Sequence, residues 1–110
     1  VRGLAVPALL LTLLLVTHAA AQAPAPEAAR GLRILGEHCA RCHTLSPSGP
    51  SPLPAAPPLR EVYDRFAPRD LRAMLLQGMV SRHREMPQVE LTPEDADAVL
   101  AALYSLAGGK

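Results

Sequence analysis

Residues 39–43 read Cys39-Ala40-Arg41-Cys42-His43, and this pentapeptide decides what the rest of the chain must fold around. Two thiols three positions apart, with a histidine directly after the second, form the spacing at which c-type haem is covalently attached. On one helical turn each thiol forms a thioether to a haem vinyl group, and the following imidazole reaches the iron from below. Attachment and ligation then come from a single short segment. Two other chemistries use a C-x-x-C pair, dithiol redox exchange and structural zinc. The first needs a βαβ surround and the second a further cluster of ligands, and the sequence offers neither pattern.

What precedes the pentapeptide bears on this reading. Arg2 is followed by an almost unbroken apolar run, Leu4 to Val16, and then by Ala19-Ala20-Ala21. A basic start, a short apolar centre and an A-x-A site are the marks of a secretory signal, with cleavage expected after Ala21. The alternative is a retained membrane anchor, but the run is well short of the roughly 20 residues that span a bilayer. Export suits thioether formation, because c-type haem is attached outside the cytoplasm. Two cysteines in an exported chain would otherwise suggest a disulfide; here both sulfurs have another use.

Removing residues 1–21 leaves 89 of the 110 residues, enough for one small domain. The expected division is a signal over 1–21, a loose lead over 22–27, one domain over 28–107 and a tail over 108–110. A chain this short buries only a modest share of its surface, and this one has no Trp, one Phe and two Tyr with which to build a core. A flat apolar porphyrin supplies the surface that those aromatics do not. Loss of Arg2 leaves ten basic side chains against ten acidic ones, a balance that argues against nucleic acid as a partner.

Along the chain the pattern is helical wherever it is regular. From Glu27 to His43, Ala28, Leu32, Leu35, Cys39 and Cys42 recur on one face, which places the cysteines at the C-terminal end of a first helix. Gly31 and Gly36 each cost that helix about 1 kcal/mol relative to Ala, so each needs a packing reason: close approach of another helix is the candidate at Gly31, while at Gly36 packing and a plain surface position both stay open. Ser46 to Pro58 carries prolines at 47, 50, 52, 54, 57 and 58. No helix or inner strand survives that loss of donors, so an extended loop is expected over the proximal haem face. Its useful group is a proline carbonyl that accepts the Nδ1 proton of His43 and holds the ring. Leu59 to Phe66 reads as one or two turns with Leu59, Val62, Tyr63 and Phe66 inward. Pro68 opens a helix with Leu71, Met74 and Leu75 inward, and Gly78 stops it. Thr92-Pro93-Glu94-Asp95 reads as N-cap, N1 and an acidic first turn. The last helix runs to about Ala107 and buries Ala96, Val99, Leu100, Leu103 and Leu106.

One histidine leaves the opposite iron face open, and its occupant separates electron carriers from catalysts and gas binders. Met86 leads, because Pro87 biases it out of helix and lets the segment drape across a haem face. Met79, at a helix end, and His83, between Arg82 and Arg84, are the rivals. Met74 sits at core spacing and is expected to pack; His38 is expected to be exposed.

With those residues in place, the mature chain resembles the small single-haem cytochromes c of the bacterial periplasm, the class I type. The resemblance spans roughly residues 28–107 and rests on Gly31, Cys39-x-x-Cys42-His43, Ala56-Pro57-Pro58-Leu59, Met86-Pro87 and a final amphipathic helix. It implies an all-α fold, a cytochrome c-like bundle of about four short helices around one covalently bound haem c. It also implies that Cys39 and Cys42 are the thioether sites, His43 the proximal ligand, Met86 the distal ligand, and Pro57 the carbonyl that holds His43. The chain departs from the family at Ala56, where Gly is common, and at Leu35 and Leu103, where aromatics are common; Tyr104 is the candidate replacement.

The expected function is periplasmic electron transfer rather than catalysis, with iron cycling between ferric and ferrous and no substrate bond changed. The expected partners are redox proteins docking transiently near the haem edge, with Arg41, Arg60, Arg82 or Arg84 steering an acidic partner or neutralising propionates. No stable membrane insertion is expected after signal cleavage. Two other readings stay open: a cytochrome subunit of a periplasmic oxidoreductase complex, and a haem sensor or small peroxidase with an open distal site.

Overall fold

Pro26 opens the first helix of the protein, whose computed structural model describes Gly3 and residues 24–78 and 85–109. Helix α1 spans Pro26–His38, with Pro at its first turn and Glu27 against the positive end of the helix dipole. Its start places Pro26 and Glu27 inside the helix rather than in the lead. Helix α2 spans Leu59–Val62 and runs into a 3-10 turn over Tyr63–Arg65. Helix α3 spans Pro68–Leu76 and α4 spans Pro93–Leu106. The described residues form four α-helices, the 3-10 turn and no strand, an all-α fold. The expected signal segment with its Ala21 boundary, Met79, Arg82, His83 and Arg84 lie outside the described residues. No helix among the described residues is long and apolar enough to cross a membrane.

The helix ends follow local chemistry. Thr92 accepts the Asp95 backbone N–H on its hydroxyl at 3.1 Å, which caps α4 as its sequence predicts. Gly78 adopts φ +77° just past α3, the left-handed conformation that glycine reaches without a Cβ penalty.

The main packing seam lies between α1 and α4. The buried residues of α1 are Ala28, Gly31, Ile34 and Leu35, so the stripe is centred one position away from the Ala28–Leu32–Leu35 face expected. Gly31 is the cause. A Cβ there would lie 2.7 Å from the Ala102 Cβ and closer still to the Ala98 carbonyl. With only hydrogen at Gly31, the two backbones approach closely and α4 turns small residues toward α1. Ala98 and Ala102 are accordingly fully buried, whereas Leu100 and Leu106 are only half-buried. Nothing lies within 4 Å of a Cβ at Gly36, which is exposed.

Leu35 and Leu103 keep their own places in the core at 3% and 2% exposure. Tyr104 does not replace an aromatic there. It is 40% exposed and meets Tyr63 edge-on, with ring centroids 5.3 Å apart. Its hydroxyl donates to the Gly109 carbonyl at 2.8 Å.

Helix α3 docks through Leu71 and Leu75, and among the described residues Leu71 and Val99 are the largest side chains sealed from solvent. Each is worth roughly 1.5–3 kcal/mol of burial. Outside the core, Arg30 pairs with Asp95, and Arg72 pairs with Asp97 across α3 and α4. The hydrogen bond from Arg72 holds Asp97 below the ordinary carboxylate range. That link is present while Asp97 is ionised and is lost as pH falls through its lowered pKa.

Candidate haem-binding site

α1 stops one residue before the first cysteine, so the pentapeptide forms the turn after the helix rather than its last turn. Cys39 and Ala40 both donate their N–H groups to the Leu35 carbonyl, at 2.8 and 3.0 Å. Sharing one acceptor ends the regular ladder. Cys42 and His43 then both donate to the Cys39 carbonyl, at 3.2 and 3.0 Å. The second turn carries both thiols and the imidazole to one wall, each half-buried.

Both thiols are free of a disulfide. Burial pushes the Cys39 thiol up from its ordinary pKa, and Cys42 beside it acts in the same direction. A redox dithiol needs the opposite, a thiolate favoured by nearby positive charge or a helix N-terminus. The zinc reading lacks its ligand set too, for no group of three or more His, Cys, Asp or Glu side chains is placed to hold a metal ion among the described residues.

His43 is fixed by the proline loop. Its Nδ1 lies 2.7 Å from the Pro57 carbonyl oxygen. A carbonyl can only accept, so Nδ1 carries the proton and Nε2 keeps its lone pair for a metal. The neighbouring Pro58 carbonyl is used differently: it accepts the Glu61 N–H at 3.0 Å and starts α2. The two prolines therefore have separate tasks, one holding the imidazole and one opening a helix.

The loop is itself tied back to the turn that it covers. Leu53 donates to the Cys42 carbonyl at 3.2 Å, and Leu59 to the Thr44 carbonyl at 3.0 Å. Ser51, 7% exposed, accepts the Thr44 N–H on its hydroxyl at 3.1 Å. Arg60 donates to the Ser46 and Gly49 carbonyls at 3.0 and 2.9 Å. The Arg60 guanidinium thereby clamps the loop. The sequence carries no local signal for either contact, since both join residues seven or more positions apart. Ser51→Ala is expected to cost about 1–2 kcal/mol by leaving a partly buried N–H unpaired. A denaturant melt measures it, and an unchanged midpoint would mean that the Thr44 N–H has found another acceptor.

These elements enclose a cavity of about 1130 Å³, just above the roughly 300–1,000 Å³ of most small-molecule sites. Leu35, Cys39, Cys42, His43 and Pro57 form one part of its wall; Leu59, Val62, Leu71, Leu75, Val99 and Leu103 line the rest. Met86 stands half-buried on the same wall. So does Met74, which packs against the core as its spacing predicts and also lines the cavity beside Leu71 and Leu75. Phe66, expected inward, is 43% exposed on the cavity wall. His38 is exposed as expected and stands at the rim.

The residues present fit a haem. Two sulfurs, an imidazole with one nitrogen already bonded, and a broad apolar enclosure share one cavity, which matches a planar macrocycle with two reactive vinyl groups and a metal at its centre. When bound, the haem supplies a one-electron iron couple. The chain would supply the two sulfurs of Cys39 and Cys42, the imidazole of His43 oriented by Pro57, and the apolar walls that keep water from the ring.

The family model described as cytochrome c oxidase, cbb3-type, subunit III matches residues 26–102. Neither the curated proteins nor the solved structures compared with the chain give a match. The matched span starts at the first residue of α1, includes the Cys39–His43 turn and every cavity-lining residue but Leu103, and ends within α4, so the chain belongs to this cytochrome c family and is a small single-haem c-type cytochrome that transfers electrons through covalently bound haem c.

Proposed function

We propose that the protein is an exported electron carrier of the bacterial periplasm, with His43 and Met86 as the two axial ligands of its iron. The observation that carries this reading is the hydrogen bond from His43 Nδ1 to the Pro57 carbonyl, on the wall of a cavity that Met86 also lines. Cys39 and Cys42 are the thioether sites. A thioether ligand and an apolar enclosure both favour ferrous iron and raise the potential. Export rests on the Arg2, Leu4–Val16 and Ala19–Ala21 pattern.

Absorption spectra of the ferric protein test the ligand set. A weak sulfur-to-iron charge-transfer band at the red end of the spectrum is expected in the native chain and in Met79→Ala and Met74→Ala, and is expected to vanish in Met86→Ala. Its survival in Met86→Ala would transfer the role to another side chain. Ready binding of carbon monoxide by the native ferrous protein would instead favour the sensor or peroxidase reading.

The family description favours a second reading, a cytochrome subunit that passes electrons within one larger oxidoreductase. The chemistry at the iron is the same and the assembly is permanent. Stoichiometric co-purification with a larger enzyme from native membranes would select it over the free carrier.

A further inference from the structure

Three contacts join the segment that begins at His43 to the one that begins at Pro57, and they follow in order along both. His43 Nδ1 donates to the Pro57 carbonyl at 2.7 Å. Next, the Leu59 N–H donates to the Thr44 carbonyl at 3.0 Å. Beyond that, Arg60 donates from Nη1 to the Ser46 carbonyl at 3.0 Å and from Nη2 to the Gly49 carbonyl at 2.9 Å. Residues 43–46 are thus tied to residues 57–60 by an imidazole, a backbone amide and a guanidinium.

The third tie carries the end of the loop that has least to hold it. Proline has no N–H, so a stretch with prolines at 47, 50, 52, 54, 57 and 58 has few donors for its own carbonyls. Arg60 meets two of those carbonyls with two different nitrogens of one planar group, which fixes both at once. Its carboxylate contact among the described residues is Glu61 at 3.9 Å, too long for a hydrogen bond. The loop carbonyls, not a carboxylate, therefore orient the guanidinium. Arg60 is not among the residues that line the cavity, so whatever it does at the site it does through the loop.

We infer that Arg60 is a positioning residue for the proximal histidine: by clamping the loop at Ser46 and Gly49, it keeps the Pro57 carbonyl within hydrogen-bond reach of His43 Nδ1. The inference rests on His43 as the iron ligand proposed above. A carbonyl that draws on the Nδ1 proton makes Nε2 a stronger donor to the metal, and a stronger donor favours ferric iron. Loosening the contact therefore raises the potential. Loss of a positive charge acts in the opposite direction, because a cation favours the reduced state. The sign of the shift separates position from charge.

Redox titration of the haem-loaded full chain, with proton exchange at His43 Nδ1 followed by NMR in the ferrous state, tests this in Arg60→Gln, Arg60→Lys and Gly31→Ala. Arg60→Gln is expected to raise the midpoint and to speed Nδ1 exchange about tenfold, as for the loss of one hydrogen bond. Arg60→Lys keeps the charge but not the two-nitrogen fork, so both readouts are expected to fall between native and Arg60→Gln. Gly31→Ala weakens the α1–α4 seam and is expected to leave the midpoint at its native value. A midpoint in Arg60→Gln that falls or stays put would overturn the assignment, as would native exchange at Nδ1. An equal rise in Gly31→Ala would assign the shift to lost stability and overturn it too. Native haem bands in the variants confine such a failure to Arg60, whereas a native chain lacking haem bands would overturn the ligand reading as well.

Discussion

Replacing Cys39 and Cys42 together with alanine is expected to give a chain with no covalently bound haem and no cooperative fold. In the proposed reading the two thiols on the turn after α1 are the anchors, and the cavity that they border is about 1130 Å³ in a chain with one Phe, two Tyr and no Trp. Leu35, Leu59, Leu71, Leu75, Val99 and Leu103 all face it. Without a covalent ring between them, these side chains lose contacts that no neighbouring residue can replace, because the proline loop and the α1–α4 seam hold the walls apart. A domain of this size has only about 5–15 kcal/mol of net stability, and loss of its central apolar surface exceeds that margin. Haem staining after denaturing electrophoresis and the far-ultraviolet melting curve read the two consequences separately. A stained band from the double variant would refute the sulfur linkage. A sharp native-like melt from an unstained one would show that the helices hold without the cofactor.

The second large effect is expected where no cofactor is involved. Gly31→Ala places a methyl group against the Ala98 carbonyl and 2.7 Å from the Ala102 Cβ. Backbone cannot rotate aside as a flexible side chain does, so α1 and α4 must separate along the seam that organises the core. Overpacking of this kind costs about 1–3 kcal/mol, and the backbone clash puts Gly31→Ala at the upper end. For a domain of this length that lowers the melting temperature by on the order of 15 °C. Gly36→Ala is the matched control on the same helix: it meets nothing within 4 Å, and the gain in helix propensity is expected to stabilise by about 0.5–1 kcal/mol. Thermal melts of the haem-loaded variants decide between the signs. Equal shifts from both substitutions would mean that the seam tolerates a methyl group at Gly31.

Local spacing was enough to point to the chemistry. Cys39, Cys42 and His43 lie within one pentapeptide, so the joint role proposed for them comes from local spacing, and the Thr92 cap, the stop at Gly78 and the proline run that excludes helix from 46–58 are read in the same way. Each depends on the conformational preferences of a few consecutive residues, and those act before any tertiary contact forms.

The tertiary structure decided whatever depends on residues far apart in sequence. Pro57 and Pro58 look alike in a run of prolines; only folding brings one carbonyl to His43 and leaves the other to open α2. The buried face of α1 shifted toward Ile34 because Gly31 admits α4, a fact of two backbones and not of hydrophobic period. Met74 packs against the core as its spacing in α3 predicts, but that the same face also lines the cavity follows only from the fold, since spacing sets which face of a helix is apolar and not what that face meets. Arg60 and Ser51 took up loop carbonyls and an N–H that extended prolines could not pair among themselves. Local rules set where each element starts and what its side chains can do; the partners of those side chains were fixed only when the loop and α4 closed around the cavity.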